Sequence, residues 1–328
     1  MKHLFSFFFL LVISSYAHAV TFKIASLSPE GSYWMESIRT VTKSIETQTE
    51  GRVKFKLYPG GVMGDDKSVL KKMRFKQLNG AALTNSGLSS IYSDIQLYNL
   101  VLKFRSLAEI DYVRSKMDIK LTQGLAEKGI ISFGFVEIGM TYLMSTQPIR
   151  NLSDMKGQKA WAPDNNEIAI AAQKAFSVSP IPLPVRDVLM GLQTGMVNVV
   201  ATSPIGALAL QWHTKVSYLT ELPLSYVFGV LALNKKDFEK LSTDDQAIVR
   251  NKFTQVLAEI NQRSRDDNQK ASAALKKQGI EFIAPSPEAA VELRGLMNNI
   301  ETQLIDSDIL SAELVNELNQ HLIDFRGR

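Results

Sequence analysis

Apolar and polar positions along the chain alternate between two periods, about two and about 3.6 residues, and the switches between them predict the elements. Thr21–Leu27 reads as a first strand, bounded by Ser28-Pro29-Glu30-Gly31. From Trp34, apolar residues at Met35, Ile38, Val41 and Ile45 mark one face of a helix that Gly51 ends. Val53–Tyr58 is the next strand, and the turn after it leads to Asp65 or Asp66 as cap of a helix over 67–75. Ala81–Thr84 is a third strand, closing on Asn85-Ser86-Gly87. A polar-faced helix over 109–128 follows, then strands over 130–137 and 139–145. Strand and helix alternate with little between them, which predicts a parallel α/β sheet and not a sandwich or bundle.

The middle of the chain repeats this grammar. Ala160-Trp161-Ala162 is a short strand stopped by Pro163, Glu167–Phe176 has helical spacing, and Ser179–Pro184 is extended again. Val188, Leu189 and Leu192 share one helix face, with Gly195 as its C-terminal cap. Met196–Ala201 is a nearly all-apolar run of the kind that lies buried on both faces of a sheet. Its carboxyl end, Ala201-Thr202-Ser203-Pro204, then opens at the edge where α/β folds take ligands. Val227–Leu233 reads as a further strand, and Ser242 or Thr243 caps a helix of about 35 residues reaching toward Gln278. Phe282-Ile283 is a short strand and the rest, from Pro287 to Arg326, is mostly helical.

Composition narrows the setting. At 328 residues, 45% hydrophobic and 21% charged, the chain has the make-up of a globular protein of one large or two medium domains. Residues 1–19 carry Lys2 and His3, an apolar run from Leu4 to Ile13 and a small-x-small end at Ala17-His18-Ala19, which predicts a secretory signal removed after Ala19. Its removal takes away one lysine and no acid, leaving 36 basic against 33 acidic residues, a balance that asks for no nucleic acid. With no cysteine, thiol catalysis, thiolate metal sites and a lipid-modified cysteine anchor are excluded, and stability rests on the core.

Catalysis lacks its parts. Beyond His3 and His18 the histidines are His213 and His321, neither in a paired motif, and the phosphate-loop and dinucleotide glycine patterns are absent. Asp65-Asp66 reads as a cap and solvated turn before it reads as a metal site. Binding needs less: a cleft, polar groups that orient a ligand, and a hinge. No cofactor, metal or catalytic residue is expected.

Three segments carry a resemblance when taken together. They are PI-x-N-L-x-D-M-K-G-x-K from Pro148, P-x-P-L-P-x-x-D-V from Pro180 and L-Q-T-G-M-V-N from Leu192, with Y-P-G-G, M-G-D-D and N-G-A-A-L-T upstream. From Phe22 to about its end the chain resembles the DctP-type periplasmic solute-binding subunit of tripartite ATP-independent periplasmic (TRAP) transporters. The resemblance implies two lobes, 20–138 with 228–268 and 139–227 with 269–328, a hinge near Ile138–Gly139, and a long helix shared by both. It also implies hinge closure over a small ligand and delivery to membrane permease subunits.

Most such subunits carry an arginine in the K-x-R segment, whose planar fork suits a carboxylate. Here Lys159-Ala160-Trp161 puts Trp161 there; Thr141 and Thr202 stand where some relatives use Arg and Asn, and Asn85 near a Glu. The metal-assisting Glu of other relatives is missing from Val200–Ser203. An indole covers apolar surface and donates one hydrogen bond but neutralises no carboxylate. The expectation is therefore an uncharged or largely apolar ligand, with Trp161, Trp34 and Trp212 as walls and Asn85, Thr84, Thr141, Thr202, Ser203 and Asp66 as polar contacts. The alternatives are a C4-dicarboxylate-like acid held by Arg105 or Arg186, or a receptor serving an ATP-driven importer or a sensor.

Overall fold

The computed structural model describes residues 19–163 and 166–327. The predicted signal segment therefore lies outside the described residues, apart from Ala19, which directly precedes the first strand. The first half of the chain builds β1 (Val20–Ser26), α1 (Tyr33–Gln48), β2 (Val53–Tyr58), α2 (Asp66–Arg74), β3 (Gly80–Thr84), α3 (Leu107–Glu127) and β4 (Ile130–Ser145). The second builds β5 (Ala160–Pro163), α4 (Glu167–Ala175), β6 (Pro180–Leu183), α5 (Val188–Gln193), β7 (Val199–Thr202), α6 (Pro204–Ala209) and β8 (Tyr218–Thr220). The chain then runs through β9 (Ser225–Asn234), α7 (Lys235–Phe238), α8 (Thr243–Lys277), β10 (Glu281–Ile283), α9 (Pro287–Asp306) and α10 (Ala312–Arg326).

The strands lie in the order β2-β1-β3-β9-β4-β7-β5-β6, with β8 joined to β4 and β10 to β8. Within each half the pairing is parallel: β1 with β2 and β3, β5 with β6 and β7, β8 with β10. The expected all-parallel sheet is corrected where the halves meet. There β9 runs antiparallel to β3 and β4, and β4 antiparallel to β7 and β8, because these two strands carry the chain across the junction in opposite directions. β8, whose three residues carry too little pattern, was not foreseen.

The two strands expected over 130–137 and 139–145 are instead one sixteen-residue strand, β4, with a bulge where its register against β9 shifts between Glu137 and Gly139. Gly139 sits at φ +121°, a backbone angle that bends the strand without ending its ladder.

The long helix is α8, capped by Ser242, whose side chain accepts from the backbone of Asp245. It packs against α1 and β4 in one half and α6 in the other, so it spans both lobes. Asn261, Ser264, Arg265 and Asn268 share one helix face, and that face grips the bulge. Asn261 accepts from Glu137 N at 2.6 Å and donates to Phe135 O at 2.9 Å. Ser264 donates to Glu137 O at 2.6 Å and Asn268 to Ile138 O at 2.9 Å, while Asn268 also accepts from Ile205 N in α6 at 3.3 Å. The Glu137 carboxylate, nearly inaccessible, takes the Arg265 guanidinium and the Tyr226 hydroxyl; Arg265 reaches on to Asp111 of α3.

Apolar clusters fill both faces. One lies under α1 and α8, with Phe22, Ile45, Phe253 and Leu257 at its centre; another gathers Trp161, Trp212, Val188, Val200 and Leu275 around α5. A third runs along the opposite face of the whole sheet through α3, α4, α9 and α10. Of the C-terminal helices, α9 packs on α4 and α10 on α3, so the tail contributes to both halves.

Candidate functional site

Carboxyl ends of parallel strands from the two halves face each other, the place where open α/β sheets take ligands. After β3 the chain turns through Asn85 and Ser86; after β5 it reaches Asn166; after β6 comes Arg186; after β2 come Asp65 and Asp66. At this edge two side-chain contacts between described residues join the halves. Asn166, whose side-chain oxygen caps α4, donates through Nδ2 to Ser86 Oγ at 2.9 Å, both residues buried. Arg186 lies 3.9 Å from Asp65 and 3.6 Å from Asp187. Neither Asn166 nor Ser86 was singled out from the sequence; the cap pattern of an Asn just before a helical run was the available signal.

Asp65 caps α2 by accepting from Ser68 N at 2.8 Å, which leaves Asp66, the next residue, turned inward. Asp66 Oδ2 accepts from Thr84 Oγ1 at 3.4 Å, and a Cβ on Gly87 would strike that same oxygen, so only glycine admits the carboxyl here. Its other oxygen, Oδ1, is buried and meets no donor. Burial, and to a lesser degree the neighbouring Asp65 charge, push the Asp66 carboxyl up to about 6, with the Thr84 hydroxyl opposing. Asn85, fully buried, donates to Asn99 Oδ1, and its own Oδ1 also lacks a donor.

The other expected contacts are more committed. Thr141 exchanges a hydrogen bond with the Ser225 hydroxyl at 2.9 Å. Ser203 is buried and caps α6 through Gly206 N at 3.2 Å, with Thr202 beside it. Trp161 is 6% exposed; its indole nitrogen donates to Leu183 O at 2.9 Å, and its ring meets Trp212 edge to face with centroids 5.0 Å apart. Trp161 and Trp212 thus share one cluster, while Trp34 packs half-buried against the α1–α8 cluster. Of the arginines held in reserve, Arg186 stands at the junction, and Arg105 lies before α3, where its backbone N donates to Glu109.

Beneath the second half of the sheet, between it and α4, a cavity of about 110 Å³ is lined by Leu143, Ala160, Trp161, Phe176, Val199 and Leu222, together with Thr141 and Ser225. Among the described residues no group of three or more His, Asp or Glu is placed to hold a metal, and no helix is long and apolar enough to cross a membrane.

Comparison with known proteins agrees with this geometry. The chain is 22% identical over 282 residues, 84% of each chain, to the 2,3-diketo-L-gulonate-binding periplasmic protein YiaO of Escherichia coli. Its fold matches the sugar acid binding protein DctPAm of Advenella mimigardefordensis in complex with galactonate (TM-score 0.85, 19% identity, covering 94% of this chain and 99% of that one). It likewise matches a TRAP periplasmic solute binding protein of Desulfovibrio salexigens with bound orotic acid (TM-score 0.84, 18% identity, 93% and 99% covered). The model of the bacterial extracellular solute-binding proteins, family 7 (DctP), matches residues 24–307, and the chain belongs to that family of substrate-binding transport proteins, which are not enzymes.

Proposed function

We propose that this chain captures a small organic solute between its lobes, in the periplasm, and hands it to the membrane permease of a TRAP transporter. The solute is uncharged or basic and rich in hydrogen-bond donors, not a carboxylate held by an arginine fork. The observation that carries this reading is the Asp66 carboxyl, buried beside the strand end at Thr84 with one oxygen that has no donor. A ligand hydroxyl or amine supplies that donor, an interaction worth about 1.5–3 kcal/mol when the acceptor is charged. A ligand carboxylate would meet Asp65, Asp66 and Asp187, and Arg186 already stands between two of these. Trp161, at the place of the fork, and Thr141, where some relatives carry another Arg, are already bonded to Leu183 and Ser225.

Closure uses the bulge in β4 as its hinge and α8 as the spine shared by both lobes, the hydrogen bond of Asn166 to Ser86 and the loose ion pair of Arg186 with Asp65 marking where the lobes meet. Secretion fits the same picture: β1 begins at Val20, immediately after the predicted cleavage site at Ala19.

A second reading, a sugar acid, draws on the relatives, whose ligands include galactonate and orotic acid. A thermal-shift panel separates the two. Neutral polyols, neutral sugars and amino sugars are set against galactonate, glucuronate and orotate at pH 7.5. The proposal expects stabilisation from a member of the first group and none from the second; stabilisation by the acids overturns it.

A further inference from the structure

Away from the junction, the segment from Leu100 to Ser106 meets both C-terminal helices, and positive charge there exceeds its partners. Arg326, at the end of α10, lays its fork on the nearly buried Glu109, with Nε and Nη2 at 2.8 and 3.0 Å, and also donates to Lys103 O. Arg105 gives the same carboxylate its backbone N–H at 2.7 Å, and its charge helps hold Glu109 below its ordinary range. Arg294 enters from α9, on the helix face that carries Glu301 two turns later. Glu301 is tied to the same segment by Lys103 at 2.5 Å. The Arg294 Nε is buried and meets no acceptor. Lys103 and Glu301 pair with each other, which leaves Glu109 as the acid whose charge is felt by Arg326, bonded to it, and by Arg105 and Arg294 nearby.

We propose that Arg105, Arg294 and Arg326 form a second binding site, for a small oxyanion of two or more negative charges such as a phosphate group. Guanidinium forks match the oxygen geometry of phosphate, and a buried N–H without an acceptor is the vacancy such an oxygen fills. The like charges are felt: burial first, then Arg105 and Arg326, pull the Arg294 guanidinium below its ordinary pKa, and Glu109 opposes them. Because α9 packs on α4 and α10 on α3, an anion held here ties together helices seated on the two halves.

Thermal unfolding of the full chain in sodium phosphate and in sodium chloride, at matched ionic strength, tests the site. Phosphate stabilises many proteins by exclusion from their surface, so the comparison that matters is with Arg294→Leu and Arg105→Gln. At about ten times its dissociation constant, phosphate is expected to raise the melting temperature of the parent by about 2–4 °C above chloride, and by less than half of that in either variant. An equal rise in parent and in whichever variants fold overturns the proposal. Sedimentation with phosphatidylglycerol or phosphatidylcholine vesicles assigns the source. Retention on the anionic vesicles alone, reversed by free phosphate, marks a lipid headgroup, and phosphate stabilisation without retention marks a free anion.

Discussion

A carboxyl with one oxygen unsatisfied is costly to ionise, and Asp66 makes that cost measurable in the empty protein. Its pKa rises from an ordinary 3.8 to about 6 on folding, so this group favours the folded state fully below about pH 4 and loses that contribution as pH rises through 6. The shift amounts to about 3 kcal/mol at most. Asp66→Asn removes the titration, and the variant without ligand is expected to melt higher than the parent at pH 7.5, with a flatter melting curve between pH 4 and 7. Parallel pH profiles for the two proteins would show that Asp66 ionises freely. Trp161 tests the opposite kind of residue. Because its ring is packed on Trp212 and its N–H is spent on Leu183, Trp161→Ala is expected to cost the empty protein about 3–5 kcal/mol of stability in a denaturant titration. A loss under about 1 kcal/mol would place the indole outside the core. The polar end of β3 at Thr84 and Asn85 was legible because turn residues after a short apolar run announce a strand's carboxyl edge, and Asp66 because two acids open a helix. The sequence does not say which hydrogen bonds those residues have already made, so Ser203 as a cap and Trp161 as a donor to its neighbouring strand became visible only in three dimensions.

Two elements, β4 and α8, set the mechanics. The α8 face from Asn261 to Asn268 satisfies backbone groups that the β4 bulge takes out of the β ladder, and Asn268 bonds both the bulge and α6. Glu137 anchors the same place from the strand side. Removing it leaves Arg265 facing only Asp111 and leaves the Tyr226 hydroxyl without that acceptor, so Glu137→Ala is expected to destabilise the protein by about 3 kcal/mol by denaturant unfolding. A change within about 0.5 kcal/mol would show that the network is slack. Gly139→Ala acts on geometry alone: a Cβ would come within 2.9 Å of Asn268 Nδ2 at a φ of +121°, and a loss of more than about 1 kcal/mol is expected. The length of α8 was readable from its cap and its apolar spacing. The continuity of β4 was not, because a glycine between two apolar runs has the same sequence signature whether it ends a strand or bends one.

At the scale of the molecule, the parallel halves meet at a waist of two strands, β4 and β9, that cross in opposite directions, and the proposed closure turns about it. Helix spacing and strand alternation revealed the layers; the mixed sheet at the waist depends on pairings between residues far apart in sequence, such as Thr84 with Gly229, which no local pattern encodes. Family membership fixes the class of activity, and the proposed ligand rests on the side chains at the junction. Native mass spectrometry of protein taken from the periplasm without refolding tests this most directly, read on the organic compound that Arg294→Leu keeps and Asp66→Ala loses. The account predicts that this compound is neutral or basic and carries hydroxyl or amine donors; a sugar acid or other carboxylate released from the junction would contradict it.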